Sequence, residues 1–264
     1  MAESCQNCNE IITASFCGNC GQKKYKRIDR KYIWDEIQYT LLHTNKGFLY
    51  SVKNILRNPG KTAKDFIDGN RVNHYKPILL IFVLSSIAAF ISYKILNFNE
   101  IMNAFYSQNQ INSKAMVDAM SLLSSYSSIL MLLLIPFFSI ATKIAFSKCG
   151  NNYYEHIVIN AYILSYYTLV YIVLVYPIMF FFRHSVVVFG TIAQFSTLLI
   201  LPILILFFKE FYKDKPFKSI LMRVFGVLGL TILGYFILII LVVIVGFVLA
   251  AFMGPEALQY VKPK

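Results

Sequence analysis

The chain has 264 residues, 57% hydrophobic and only 14% charged, and 25 basic residues against 13 acidic ones give a net charge of +12. Mean hydropathy is +0.58, too apolar for an ordinary soluble domain of this length. Disordered, collagen-like and disulfide-scaffold classes are excluded, and the composition points to an integral membrane protein whose few charges gather where water is available.

At the N-terminus, Cys5 and Cys8 form one C-x2-C knuckle and Cys17 and Cys20 a second. This is the spacing of a compact zinc ribbon: each knuckle aims two thiolates at one tetrahedral centre, and Gly18 and Gly21 permit the sharp turns required. A redox C-x-x-C pair would need a strand and helix context that this segment lacks. Four cysteine ligands leave no coordination position for a reacting water, so the Zn2+ is expected to be structural. A segment this short has no core of its own, and the metal would supply folding free energy on the order of 10 kcal/mol. Cys149, far from this group, reads as a reduced bystander.

Lys23, Lys24, Lys26 and Arg27 follow the second knuckle. Tethered near a bilayer, these cations meet anionic lipid headgroups first, each worth about 1 kcal/mol at the surface, so lipid contact is favoured over nucleic acid. Between Arg27 and Lys76 two stretches have helical periodicity. Ile33, Ile37 and Leu41 form an apolar stripe in Tyr32 to Leu42, and Phe48, Val52, Ile55 and Leu56 form another that stops at Asn58-Pro59-Gly60. Two arrangements suit these stretches equally: flat on the bilayer surface, or packed against the ends of spanning helices.

Five charge-free intervals follow: Pro77 to Tyr93, Ala119 to Thr142, Ile157 to Phe182, His184 to Phe208 and Val224 to Pro255, of 17, 24, 26, 25 and 32 residues. A hydrocarbon core about 30 Å thick needs about 20 apolar residues in a helix, and snorkelling of Lys94 extends the first interval to that length. All five qualify as membrane spans. The resulting fold class is an all-α integral membrane protein with about five transmembrane helices, preceded by a small four-cysteine zinc ribbon and amphipathic juxtamembrane helices. Its divisions are 1–26 for the ribbon and basic tail, 27–76 for the juxtamembrane segment, 77–252 for the membrane domain and 253–264 for a short tail. The short junction at Arg183 makes spans three and four a tight hairpin or one broken re-entrant unit.

Lys and Arg in short loops mark the cytoplasmic side. With the N-terminus inside, 20 basic residues fall on that side and 5 on the other, and no apolar leader precedes the cysteines to export them. The expectation is a cytoplasmic N-terminus and a periplasmic C-terminus.

Several motifs then coincide: the two knuckles with Gly21-Gln22, Arg27-Ile28, Lys46-Gly47-Phe48, Asn58-Pro59-Gly60, and Gly69-x-Arg71-x3-Tyr75-x-Pro77 entering the first span. The pattern resembles a family of uncharacterised bacterial multi-pass membrane proteins with an N-terminal zinc ribbon, and implies a bacterial inner-membrane location without implying an activity. Glu155-His156 is also similar to that family, with Tyr162 where a second histidine would be expected.

Within the membrane, none of the five intervals contains Asp or Glu, which argues against a carboxylate proton relay. A cluster of uncharged polar residues stands out instead: Asn160, Tyr166 and Tyr167 in the third interval and Gln194 in the fourth, with Ser165, Thr168, Tyr171, Ser196 and Thr197 nearby. They either line a cavity or hydrogen-bond between helices. Glu155 and His156 point about 100 degrees apart on a helix and have no nucleophile beside them, so no catalytic residue is assigned. The function expected is a non-enzymatic adaptor or sensor with a cytoplasmic protein partner. The alternative is a transporter or lipid-handling protein with a cavity between spans three and four.

Overall fold

The computed structural model describes residues 3–5, 8–20, 47–71, 74–109 and 114–253. The chain divides into two compact units, 1–45 and 46–264. The expected helix at Tyr32 to Leu42, the basic residues Lys23, Lys24, Lys26 and Arg27, and the tail beyond 253 lie outside the described residues.

In the first unit, β1 (Glu3–Ser4) pairs antiparallel with β2 (Ile11–Ile12), with Glu3 opposite Ile12 and Ser4 opposite Ile11. The Cys5 amide donates to the Glu10 carbonyl and the Asn9 amide to the Cys5 carbonyl, which closes the first knuckle. Asn9 is left-handed there, with φ at 60°. That conformation costs Asn less than most residues.

The second unit is helical. Two juxtamembrane helices, α1 (Gly47–Arg57) and α2 (Pro59–Ile67), precede α3 (Pro77–Phe90), which continues through a π-helical turn, Ile91–Ile95. Then come α4 (Phe98–Gln108), α5 (Lys114–Ser125) and α6 (Ser127–Ala145). Helix α7 (Tyr153–Val170) passes through a second π turn, Tyr171–Val175, into α8 (Tyr176–Phe181). The last helices are α9 (Val186–Ser196), α10 (Ile200–Phe211) and α11 (Phe217–Met253), with a 3-10 turn, Thr197–Leu199, joining α9 to α10.

Among the described residues five stretches are long and apolar enough to cross a membrane: Pro77–Ile95, Ser127–Ala145, Tyr153–Phe181, Val186–Phe211 and Phe217–Leu241. The protein is therefore a multi-pass membrane protein whose spanning unit is helical among the described residues. The expected second span begins eight residues too early: the serine-rich stretch around Ser125 and Tyr126 breaks the helix, and α5 is a separate element. Helices α4 and α5 were not expected, because charge spacing treats everything between two spans as a connector. The Arg183 junction is a tight hairpin turn, with the guanidinium 4.2 Å from the Phe180 ring centroid. Irregular turns precede two of the span prolines, the π turn before Pro177 and the 3-10 turn before Pro202. Each adapts the backbone to a ring that offers no amide hydrogen.

The third span is the centre of the bundle, packing on the first, second and fourth and on both juxtamembrane helices. Its core includes Ile159, Tyr162 and Ile163, which meet Leu80 and Leu84 of the first span and Phe207 and Phe208 of the fourth. Helices α1 and α2 are built into this core: Ser51, Ile55, Thr62 and Ala63 are buried, while Leu56, expected on the buried stripe, is 40% exposed. Of the two arrangements weighed for α1, packing against the ends of the spans is the one observed.

Candidate functional site

The four thiols of the first unit converge. Cys5 and Cys20 have Sγ atoms 3.5 Å apart, Cys8 and Cys17 3.5 Å, and Cys8 and Cys20 3.4 Å. All four ligand atoms lie within 4.8 Å of one another. A tetrahedron with Zn–S bonds of about 2.3 Å has edges of about 3.8 Å, and disulfide bonding would need about 2.05 Å, so the spacing suits a metal ion and not a disulfide. Ile12 packs beside Cys5 and Cys17 as the small apolar support of the site. A hydrogen bond to the Glu10 backbone lowers the Cys8 pKa, but the neighbouring thiols Cys20, Cys17 and Cys5, together with partial burial, outweigh it and push it up to about 12. Crowded thiols resist ionisation in the absence of a cation, and a bound cation reverses this. The four cysteines can therefore hold a metal ion, as their spacing predicts.

In the second unit the expected polar residues separate. Asn160 is buried and joins span three to span two: its amide donates to Thr142 Oγ1 at 2.8 Å, to Ser139 Oγ at 3.4 Å and to the His156 carbonyl at 2.8 Å. His156 is fully buried, with Nδ1 3.1 Å from the same Thr142 hydroxyl. Glu155 turns the other way and completes a capping box: its carboxylate accepts from the Asn152 amide at 3.0 Å, and the Asn152 side chain accepts from the Glu155 amide at 2.9 Å. A capping box satisfies two free amides at a helix start, which gives Glu155 a structural task. Tyr167 lies a helical turn from Tyr171, ring centroids 4.5 Å apart. Tyr166 is half-buried against the main core, and Gln194 is exposed.

Two contacts had no signal in the sequence. The Gly60 amide donates to the Glu210 carboxylate at 3.0 Å, tying the start of α2 to the end of α10. A Cβ at Gly60 would stand 2.1 Å from the Phe207 carbonyl oxygen, so only glycine permits this approach. The Asn58-Pro59-Gly60 stop does end α1, yet Pro59 also opens α2, a first-turn position in which its missing amide costs nothing. The second contact is Arg223, which donates to the Ala145 carbonyl at 2.8 Å and lies over the Phe146 ring. Lys143 donates to the Asn151 carbonyl, and the Tyr212 hydroxyl to the Asn151 side chain at 2.9 Å. One end of the bundle is thus laced by polar bonds between loops.

A cavity of about 380 Å3 lies between the first, third and fourth spans toward the other end of the bundle. Ser92 and Tyr93 of the first π turn line it, together with Tyr171 of the second, Tyr176, Ser196 and Thr197. The Tyr171 hydroxyl donates to Ser196 Oγ at 3.0 Å.

A family model described as a protein of unknown function (DUF3667) matches residues 45–89. That stretch holds α1, α2 and most of the first helix to span, including Gly60 and the Ser51 hydroxyl, which accepts from the Tyr75 amide at 2.8 Å. No curated protein and no solved structure matches the chain.

Proposed function

We propose that this protein is a membrane-anchored adaptor or sensor of the bacterial inner membrane, with a cytoplasmic zinc ribbon that engages a cytoplasmic protein partner. The observation that carries the reading is the convergence of Cys5, Cys8, Cys17 and Cys20 within 4.8 Å, in a unit distinct from the membrane-spanning one. Four thiolates around Zn2+ form a closed coordination sphere, suited to shaping a small recognition surface and not to activating water. The basic run Lys23, Lys24, Lys26 and Arg27 would hold this head close to anionic lipid, and nucleic acid is not the expected partner. Affinity purification of the full chain from native membranes, with zinc measured on the same sample, tests the proposal. Wild type should retain a specific partner and about one zinc per chain, and Cys5→Ser with Cys8→Ser should lose both. An unchanged partner set in the variant overturns it.

A second reading, lipid handling, rests on the cavity beside Tyr171 and Ser196. It places an amphiphile between spans three and four and needs no contribution from the ribbon.

A further inference from the structure

The cavity between the first, third and fourth spans has three features that ordinary packing does not require. Its volume, about 380 Å3, falls in the range of roughly 300–1,000 Å3 typical of small-molecule sites. Both π turns found among the described residues contribute to its wall, through Ser92 and Tyr93 on one side and Tyr171 on the other. Such turns distort helical hydrogen bonding and are frequent where a helix shapes a site.

The third feature is the direction of its hydroxyl protons. Tyr171 donates to Ser196, and Ser196 donates onward to the Ala193 carbonyl at 2.9 Å. Thr197 donates to the Gln194 carbonyl at 2.6 Å. Each of these protons is committed to the protein, so Tyr171 and Thr197, both in the lining, have only oxygen lone pairs left to offer, and Tyr171 shares its own with the Tyr167 side chain. A hydroxyl with one proton engaged retains only lone pairs. These two positions therefore favour a guest that donates, while Ser92, Tyr93, Asn99 and Tyr176 of the same lining can donate or accept.

Charge narrows the class further. No Asp, Glu, Lys, Arg or His lines it, and an adjoining cleft of about 310 Å3, which shares Tyr93 and Asn99, carries Glu100. A phosphate group brings negative charge to membrane depth, where it needs a cationic partner that this lining does not supply. Phe98 and Met179 supply the apolar part of the lining. Phe195 and Leu198, flanking Ser196 and Thr197 in the sequence, are each 65% exposed, as lipid-facing residues are.

We propose that this cavity binds an uncharged lipid alcohol of the diacylglycerol class, its free hydroxyl donating its one proton to the Tyr171 oxygen while its acyl chains pass into the bilayer. The inference rests on the lipid-handling reading and adds the chemistry of the head group.

The test uses the full chain in detergent and native mass spectrometry with three probes sharing the same acyl chains: a diacylglycerol, its 3-acetyl ester and the corresponding phosphatidic acid. The diacylglycerol should bind about tenfold more tightly than the ester, the worth of about one hydrogen bond, and more tightly than phosphatidic acid. Ala193→Trp, which fills the cavity, should abolish this binding. Tyr171→Phe, close to isosteric, should reduce the preference for the free alcohol while the protein keeps its elution volume. Equal binding of alcohol and ester, or a preference for phosphatidic acid that Ala193→Trp removes, overturns the head-group assignment and leaves the cavity as a lipid site. Absence of binding sensitive to Ala193→Trp with all three probes overturns the lipid-handling reading itself.

Discussion

Gly60 and Glu210, 150 residues apart, meet through a single amide-to-carboxylate hydrogen bond of 3.0 Å. The bond forms because α2 approaches α10 so closely that Phe207, Glu210 and Phe211 occupy the space any side chain at position 60 would need. Gly60→Ala should therefore destabilise the membrane unit by about 3 kcal/mol through overpacking. Glu210→Gln keeps the shape and weakens only the charge-assisted bonds from the Gly60 and Lys61 amides, at a cost of about 2 kcal/mol. Unfolding of each variant in detergent, followed by far-UV circular dichroism, checks the order.

Asn160 bridges spans two and three through Ser139 and Thr142. Interhelical hydrogen bonds in membranes are worth about 0.6 kcal/mol each on average, but Asn160→Leu also leaves His156 and Thr142 buried beside an apolar group. The expected loss is about 2 kcal/mol. Thr142→Val should cost nearly as much, and the double variant less than the sum, because the residues share one network. Equilibrium unfolding of the three variants in mixed micelles gives the cycle.

His74 is buried between the Tyr50 and Phe66 rings, with centroids at 5.2 and 6.4 Å, and neither ring nitrogen has a hydrogen-bond partner among the described residues. Burial lowers its pKa below the ordinary 6.5, although Asp65 pulls the other way. The folded state thus binds a proton less readily than the unfolded one. Its contribution to stability is full above pH 6.5 and is lost as the pH falls below that value. Melting temperatures measured from pH 8 down to about pH 5 should decline on the acid side, and His74→Phe should flatten the decline.

Removal of the metal should unfold residues 3–20 and leave the membrane helices intact, since the two belong to separate compact units. Chelation should abolish amide exchange protection near Cys5 and Cys17 while the helical circular dichroism barely changes.

Reporter fusions active on one side of the membrane should place the N-terminus in the cytoplasm and the C-terminus in the periplasm. This is the orientation expected from the 20 basic residues counted on the inner side against 5 on the other. A cytoplasmic signal from both ends would mean an even number of crossings.

The spans were legible because lipid exposure forbids charge: runs such as Ile157 to Phe182 mark a helix without any knowledge of its neighbours. The four-cysteine cluster was legible because two close pairs encode a ligand geometry locally. The local pattern marks Gly60 only as part of a stop, since its role depends on Phe207 and Glu210, which no local pattern links to it. Asn160 stands out in the sequence as polar, but its partners on span two follow from helix rotation, and hydropathy carries no information about azimuth in a span apolar on every side. Helices α4 and α5 escape the charge spacing for a related reason. The Phe105 ring packs tightly against Gly190, a contact that helps place α4 and leaves no trace in charge spacing.

The π turn at Tyr171–Val175 fits one residue more into the third span than a regular helix would hold. Deleting a single residue there should restore ordinary winding, and everything beyond would swing by about 100 degrees and advance by about 1.5 Å. Met179, 1% exposed in the second apolar cluster, would turn toward the acyl chains, and Tyr176 would leave the cavity. A surplus residue in mid-membrane thus works as a register key: it decides which half-circumference of the following turns the rest of the protein can see.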